Sequence, residues 1–335
     1  IQFLVIALSV SAQTKYKIYR EIPLAQPAYS TEITPAELQL DDSRLRKYPN
    51  GTIFATLPVL KDLFSYLQND ADGKIQWKVM SRTSAQMVSN WKLTYKTQDY
   101  RYIYANLNNL STLSYVYMFT GNKILLEFIK ANMKKMAELP LDFWLHSELR
   151  GLDEKKPLGM LETAMLSAAL GYSLSMIEGD VPQTELAEIK EAFRTKGYIP
   201  CLNWLDKPNL NNFTAVIGNG AFVAAKYFND DKGKEKALNA ISFYLKNSIE
   251  QDGSYGEGVG YFNYPLTTLR TGVLCMNDSE RNIFRGLSLA NSSKWIVYSV
   301  LFQVNQTKKL IPSIINFGDN CPLEGTLVRG TASAY

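Results

Sequence analysis

Histidine and cysteine are scarce in this chain of 335 residues, which contains one histidine, His146, and three cysteines, Cys201, Cys275 and Cys321. No two cysteines form a Cys-x-x-Cys pair, and one histidine cannot complete a zinc-ligand set with them. Three widely spaced cysteines also do not make a disulfide framework. Because nucleotide-binding and metalloprotease motifs are missing as well, the sequence predicts no metal and no cofactor.

A strong charge of either sign is also lacking. The 36 Lys and Arg residues against 32 Asp and Glu give a formal net charge of +4. This balance is too weak to indicate nucleic-acid binding, so no nucleic-acid partner is predicted. It is compatible with an anionic polysaccharide, and equally with an ordinary solvated surface.

Long apolar runs are missing except at the N-terminus, where residues 3–10 read FLVIALSV and are followed by Ser11 and Ala12. The run is too short to span a bilayer. An apolar run before small residues is typical of a signal peptide and its cleavage site. We therefore expect residues 1–12 to be the remnant of a signal peptide and the protein to be periplasmic or secreted. A buried N-terminal strand is the alternative.

Helical periodicity is abundant. Apolar residues recur at helical spacing, with short turns between, in the segments 52–70, 101–122, 123–139, 158–180, 184–198, 211–230, 232–253, 266–276 and 279–303. Within a pair, one helix is small and apolar and the other is charged, which predicts antiparallel hairpins with inner and outer members. No fixed short repeat is visible, so the predicted fold is an all-α toroid of hairpins and not a regular repeat array.

The helical pattern ends near residue 308. In residues 309–335, proline, glycine and β-branched residues replace it, which predicts the entry of a β-rich domain. We therefore assign residues 51–308 to the toroid and residues 13–50 to an extended N-terminal segment.

Two segments carry the most specific pattern, NLNNFTAVIGNG at 209–220 and QDGSYGEGVGYFNYP at 251–265. An Asn-Asn-aromatic run followed by an Asp-Gly, Glu-Gly and tyrosine cluster resembles the heparinase II/III-like family of polysaccharide lyases, which includes related alginate lyases. The resemblance implies an incomplete α/α toroid followed by a β-sandwich, with residues 309–335 as the start of the sandwich. It also implies β-elimination in a uronic-acid-containing polysaccharide, a glycosaminoglycan such as heparan sulphate, or alginate.

The implied reaction has two physical demands. A group must stabilise the uronate carboxylate as charge accumulates on it, and another must move protons at C5 and at the leaving oxygen. By the resemblance, the Asn212 amide serves the first demand and Tyr264 the second, with Tyr261 as the other catalytic candidate. A helix cap explains the asparagines equally well, and an amphipathic core ring explains either tyrosine.

The substrate-binding candidates are Asn211, Glu257, Trp204 and Asn263. Glu257 orients the site or pairs with a neighbouring cation, and Trp204 stacks on sugar or belongs to the core.

One departure from the family pattern is Phe213, since related lyases often have histidine after the asparagine. Two other functions stay open. One is an unsaturated-uronyl hydrolase on an α/α barrel, in which Asp252 protonates an enol ether. The other is a non-catalytic glycan-binding toroid. The sequence predicts no membrane span and leaves the oligomeric state open.

Overall fold

The computed structural model describes residues 33–90, 101–145, 153, 155–256, 258–304 and 310–314. Its α-helices are α1 (Leu57–Asn69), α2 (Ala71–Asn90), α3 (Arg101–Thr120), α4 (Lys123–Glu138), α5 (Leu141–Leu145), α6 (Leu161–Ile177), α7 (Gln183–Ala192), α8 (Ile199–Trp204), α9 (Asn212–Phe228), α10 (Asp231–Ser248), α11 (Val259–Cys275) and α12 (Leu289–Tyr298). Tighter 3-10 turns occur at Pro35–Glu37, Asp42–Lys47, Glu178–Asp180 and Glu280–Phe284, and a π-helical turn at Phe193–Tyr198. The described chain is predominantly α-helical, so the predicted all-α class is confirmed.

The turn between α3 and α4 shows how the sequence sets a hairpin. Gly121 ends α3 with a φ of 62°, a backbone conformation that glycine adopts without steric cost. The side chain of Asn122 then caps α4 by accepting hydrogen bonds from the N–H groups of Ile124 and Leu125 at 3.0 and 3.1 Å. The predicted pairs α3 and α4, α6 and α7, and α9 and α10 are all present as consecutive helices.

The helices form an inner and an outer layer. Helix α6 packs against α3 on one side and α9 on the other, and α9 packs in turn against α11. Nearly all of α6 and α9 is buried, whereas α10 buries only part of its surface and packs against the outside of α9. The small, apolar helices are therefore inside and the charged helices outside, as their composition predicts.

Contacts show that the inner helices run in the same direction. Met165 on α6 is contacted by Tyr264 on α11, and seven residues further along both helices Tyr172 is hydrogen-bonded to Thr271. Since the contacts advance together along both chains, α6 and α11 are parallel.

Helices α6 and α9 run in the same direction by the same criterion. A Cβ on Gly220 would overlap the backbone of Ala164, and a Cβ on Gly171 would press on Val223. Glycine at position 220 therefore lets the two helix backbones approach closely.

Residues 33–50 belong to the segment predicted to be extended, but they contain two 3-10 turns. Arg44 pairs with Asp180, which follows α6, and its guanidinium lies 5.0 Å from the ring centre of Tyr117 on α3. The Tyr48 hydroxyl donates to the carbonyl of Met176 on α6 at 2.5 Å. These contacts attach the segment to the inner helices.

Two helix boundaries were predicted wrongly. The helical segment predicted at 266–276 begins earlier, at Val259, so that Pro265 lies inside α11. The segment 279–303 was expected to be one helix, but Gly286 has a φ of 77° and interrupts it before α12. The strands β1 (Val300–Val304) and β2 (Leu310–Ile314) then pair antiparallel, so extended structure begins before residue 309.

Candidate functional site

The two asparagines at the start of α9 have different environments. Asn211 is the N-cap, because its side-chain oxygen accepts the N–H of Phe213 at 3.1 Å. Asn212 is the first helical residue and is 5% exposed. In the described part of the chain, the Asn212 side-chain amide makes no hydrogen bond. The capping interpretation is therefore confirmed for Asn211, while the Asn212 amide is left for another partner.

Trp204, at the end of α8, packs beside the start of α9. Its ring stacks on that of Phe213, with centroids 6.3 Å apart and planes inclined by 24°. Since Trp204 is only 8% exposed, this placement favours the core interpretation over a sugar-stacking role.

The tyrosine candidates lie within the first two turns of α11, and both are half-buried against the core. The Tyr264 hydroxyl donates to the sulfur of Met165 at 3.9 Å, which directs the ring toward α6. A thioether is a weak acceptor, so this contact occupies the phenol less strongly than an oxygen would. Tyr261 lies three residues earlier, nearly one helical turn toward the N-terminus.

Asn263, between the two tyrosines in sequence, has a buried side-chain oxygen with no hydrogen-bond partner among the described residues. Such an oxygen is destabilising unless a donor reaches it, so the position is suited to a hydroxyl group of water or a ligand. Two other residues from the sequence analysis, Glu257 and His146, lie outside the described residues.

The glycines of the second motif have separate roles. Gly253 turns the loop with a φ of 86°, and Gly258 precedes α11 with a φ of 89°. Both conformations favour glycine. Gly256 is exposed, and no atom of the described residues lies within 4 Å of a Cβ placed on it, so no close approach among them requires glycine there. The turns that precede α11 therefore explain two of the four glycines in this motif.

The helix directions bring Asn212 and Tyr264 to corresponding ends of the inner layer. Both residues are near the N-termini of helices that run parallel and pack together. Met165, near the N-terminus of α6, contacts Tyr264 at this end. The structure thus places the candidates from α9 and α11 on one side of the layer, beside the start of α6.

Sequence reasoning missed Glu162, which is buried in the first turn of α6, three residues before Met165. A signal for it existed, because Glu162 is the only charged residue in α6. Residues three apart on a helix are neighbours, so this carboxyl belongs to the same end of the inner layer.

The described residues give little support for catalysis by a cysteine or for a metal site. Burial raises the pKa of the Cys201 and Cys275 thiols to about 12, so neither is a thiolate at neutral pH. No group of three potential metal-binding side chains occurs there. Two surface pockets, of about 500 and 450 Å³, are lined mainly by α10 and include none of the candidates.

No family model and no curated protein matches this chain. Within the described residues, no helix combines the length and the apolar character needed to cross a membrane.

Proposed function

We propose that this protein is an exported polysaccharide lyase of the heparinase II/III-like type, which cleaves a uronic-acid-containing polysaccharide by β-elimination. The inner and outer helix layers are the wall of an incomplete α/α toroid, and β1 and β2 introduce a β-sandwich. The observation that carries the proposal is the side-chain amide of Asn212, a residue only 5% exposed, which makes no hydrogen bond in the described structure.

The physical argument starts from the availability of that amide. An asparagine NH₂ group that makes no hydrogen bond with the described residues can donate two hydrogen bonds to a bound substrate. Asn212 also begins a 17-residue helix, where free N–H groups and the helix dipole favour a negative charge. A carboxylate suits both features, because it accepts hydrogen bonds and carries charge.

In the proposed reaction, hydrogen bonds from Asn212 stabilise the uronate carboxylate as a base removes the C5 proton. The electron pair forms the C4–C5 double bond while the C4–O bond breaks, and the departing oxygen takes a proton. Tyr264 is assigned to proton transfer, since it belongs to the adjacent parallel helix at the same end of the layer. Tyr261 is the alternative group, and Asn211, Asn263 and Glu257 stay candidates for substrate contacts, whereas the burial of Trp204 assigns it to the core.

The hydrolase alternative is less well supported. Asp252 would need to hold a proton near neutral pH, but it is exposed and its pKa is lowered by a hydrogen bond from the backbone N–H of Ser254. A carboxyl in this environment is ionised at neutral pH and is a poor general acid.

The direct test is to incubate the full-length protein with heparan sulphate, chondroitin and alginate and to follow ultraviolet absorbance. A lyase creates a conjugated double bond from intact polymer, so absorbance rises, whereas an unsaturated-uronyl hydrolase removes such a chromophore from lyase products. Polymer binding without any absorbance change would identify a non-catalytic glycan-binding protein and overturn the proposal.

A further inference from the structure

Asn219 lies in the middle of α9, is 1% exposed, and uses both ends of its side-chain amide to hold α11. Its Nδ2 donates to the hydroxyl of Thr271 at 2.8 Å, and its Oδ1 accepts the backbone N–H of Gly272 at 2.8 Å. A fully hydrogen-bonded polar residue between two helices restricts them to one relative register, whereas apolar contacts tolerate sliding.

The two residues that Asn219 contacts, Thr271 and Gly272, are held by further contacts. The Thr271 hydroxyl donates to the carbonyl of Thr268 at 3.0 Å, and the Thr271 carbonyl accepts the hydroxyl of Tyr172 from α6. A Cβ on Gly272 would overlap the Asn219 side-chain oxygen, so only glycine admits the amide this closely. Three inner helices therefore meet at one hydrogen-bonded junction.

This junction lies the same number of residues from both candidate residues. Asn212 stands seven residues before Asn219, and Tyr264 seven residues before Thr271. Seven residues make nearly two turns and about 10.5 Å, so each earlier residue lies on almost the same face of its helix as the later one. Because the helices run parallel, fixing the junction also fixes the level of Tyr264 relative to Asn212.

We propose that Asn219 is a positioning residue, which sets the register of α11 on α9 and thereby aligns Tyr264 with Asn212. The catalytic part of this inference rests on the proposed function, while the register part does not. A slip of one turn would move Tyr264 by about 5.4 Å. Misplacement of a reacting group by about 1 Å already costs on the order of a hundredfold in rate.

The test compares Asn219→Leu and Thr271→Val, which remove the junction, with Thr271→Ser, which retains the hydroxyl. The matched control is Asn132→Leu, because Asn132 is also buried but, among the described residues, donates only within its own helix, to the Phe128 carbonyl at 2.7 Å. We expect at least tenfold faster hydrogen exchange at the Gly272 amide in Asn219→Leu and no such change in Asn132→Leu.

Register is measured directly with spin labels on Leu210→Cys, two residues before α9, and on Thr267→Cys, in the middle of α11; both positions are exposed. We expect the distance between the labels to shift or broaden in Asn219→Leu and in Thr271→Val. An unchanged distance together with unchanged exchange at Gly272 would overturn the register claim, whatever reaction the protein catalyses.

The catalytic consequence is measured on the polymer that the wild-type protein cleaves. We expect kcat to fall at least tenfold in Asn219→Leu and Thr271→Val with KM changed less than threefold, and Thr271→Ser to restore kcat. A kcat equal to wild type despite altered register would overturn the positioning role, as would an equal loss in Asn132→Leu. If the wild type cleaves no uronate polymer, the proposed function fails, and the label distances still decide the register claim.

Discussion

Arg44 and Asp180 form an ion pair that joins the N-terminal segment to the end of α6, and each side chain is only 12% exposed. Tyr117 also donates to the Asp180 carboxylate at 2.7 Å, and the Lys47 ammonium lies 3.2 Å from it. The Asp180 carboxylate thus binds side chains from both the N-terminal segment and α3. Breaking this cluster is expected to loosen the attachment of residues 33–50.

We expect Asp180→Asn to lower the free energy of unfolding by about 1.5–3 kcal/mol at neutral pH, the range for hydrogen bonds to charged groups. Burial alone would raise the pKa of Asp180, but hydrogen bonds from Arg44 and Tyr117 outweigh it and hold the pKa below its usual 3.8. A lowered pKa in the folded state gives stability that is present above the unfolded pKa and is lost as pH falls through the folded one. The difference in the free energy of unfolding between the variant and the wild type, measured by urea denaturation, should therefore become smaller below about pH 4.

The control for this prediction is Asp206→Asn. Hydrogen bonds from Lys156 and Lys236 lower the pKa of Asp206 to about 2, but its side chain is 42% exposed. Exposed ion pairs contribute about 0–1 kcal/mol, so this variant should change stability little. Equal losses in the two variants would contradict the argument from burial.

A second prediction concerns the close approach of α6 and α9. Gly220→Ala should destabilise the protein by about 1–3 kcal/mol, because the added methyl group would overlap the Ala164 backbone. Gly256→Ala is the matched control, since no atom of the described residues lies within 4 Å of its Cβ position. The melting temperature should be clearly lower for Gly220→Ala than for Gly256→Ala. Similar melting temperatures would mean that the two helices are not in close contact at Gly220.

The start of α9 allows a third prediction. Asn211→Ala should lower the free energy of unfolding by about 0.5–2 kcal/mol through loss of the cap. Asn211→Asp should retain most of the stability that the cap contributes, because a carboxylate also accepts the hydrogen bond. If Asn211→Ala keeps full stability in denaturant titrations but loses polymer binding, its role is in substrate contact and not in capping.

The sequence predicts hairpins well where local signals decide the structure. Helix α4 starts directly after Asn122 because Gly121 and the capping side chain of Asn122 are adjacent, and both are visible in the sequence. The start of α11 was missed because tertiary packing outweighs the cost of an internal proline, about 3 kcal/mol. Phe262, three residues before Pro265, packs against Tyr255 and Trp295 with ring centroids 5.6 and 5.8 Å away.

Part of the candidate site could not be predicted for a related reason. Asn219 appears in the sequence as one polar residue in an apolar helix, and nothing local shows that its partners are Thr271 and Gly272, more than fifty residues away. The resemblance pointed to Asn212 and Tyr264 by motif. The relation of these two residues to the junction at Asn219 depends on helix direction, which periodicity does not supply.

The last prediction concerns the reaction itself. Tyr264→Phe should lower kcat about a hundredfold to ten-thousandfold while KM changes little, because the ring and its packing are kept and only the hydroxyl that would transfer the proton is lost. Asn212→Ala should lower kcat about a hundredfold to a thousandfold, since the amide is needed most when charge develops on the carboxylate. Both effects are measured by the initial rate of ultraviolet absorbance with the polymer that the wild type cleaves.

Tyr261→Phe is the matched control, because it removes a phenol from the same end of the same helix. If Tyr261→Phe loses activity and Tyr264→Phe does not, proton transfer belongs to Tyr261, although Asn212 keeps its role. If both tyrosine variants cleave at the wild-type rate, neither phenol transfers the proton. Glu162, buried three residues before Met165, is then the next group to test, with Glu162→Gln preserving its size while removing its charge.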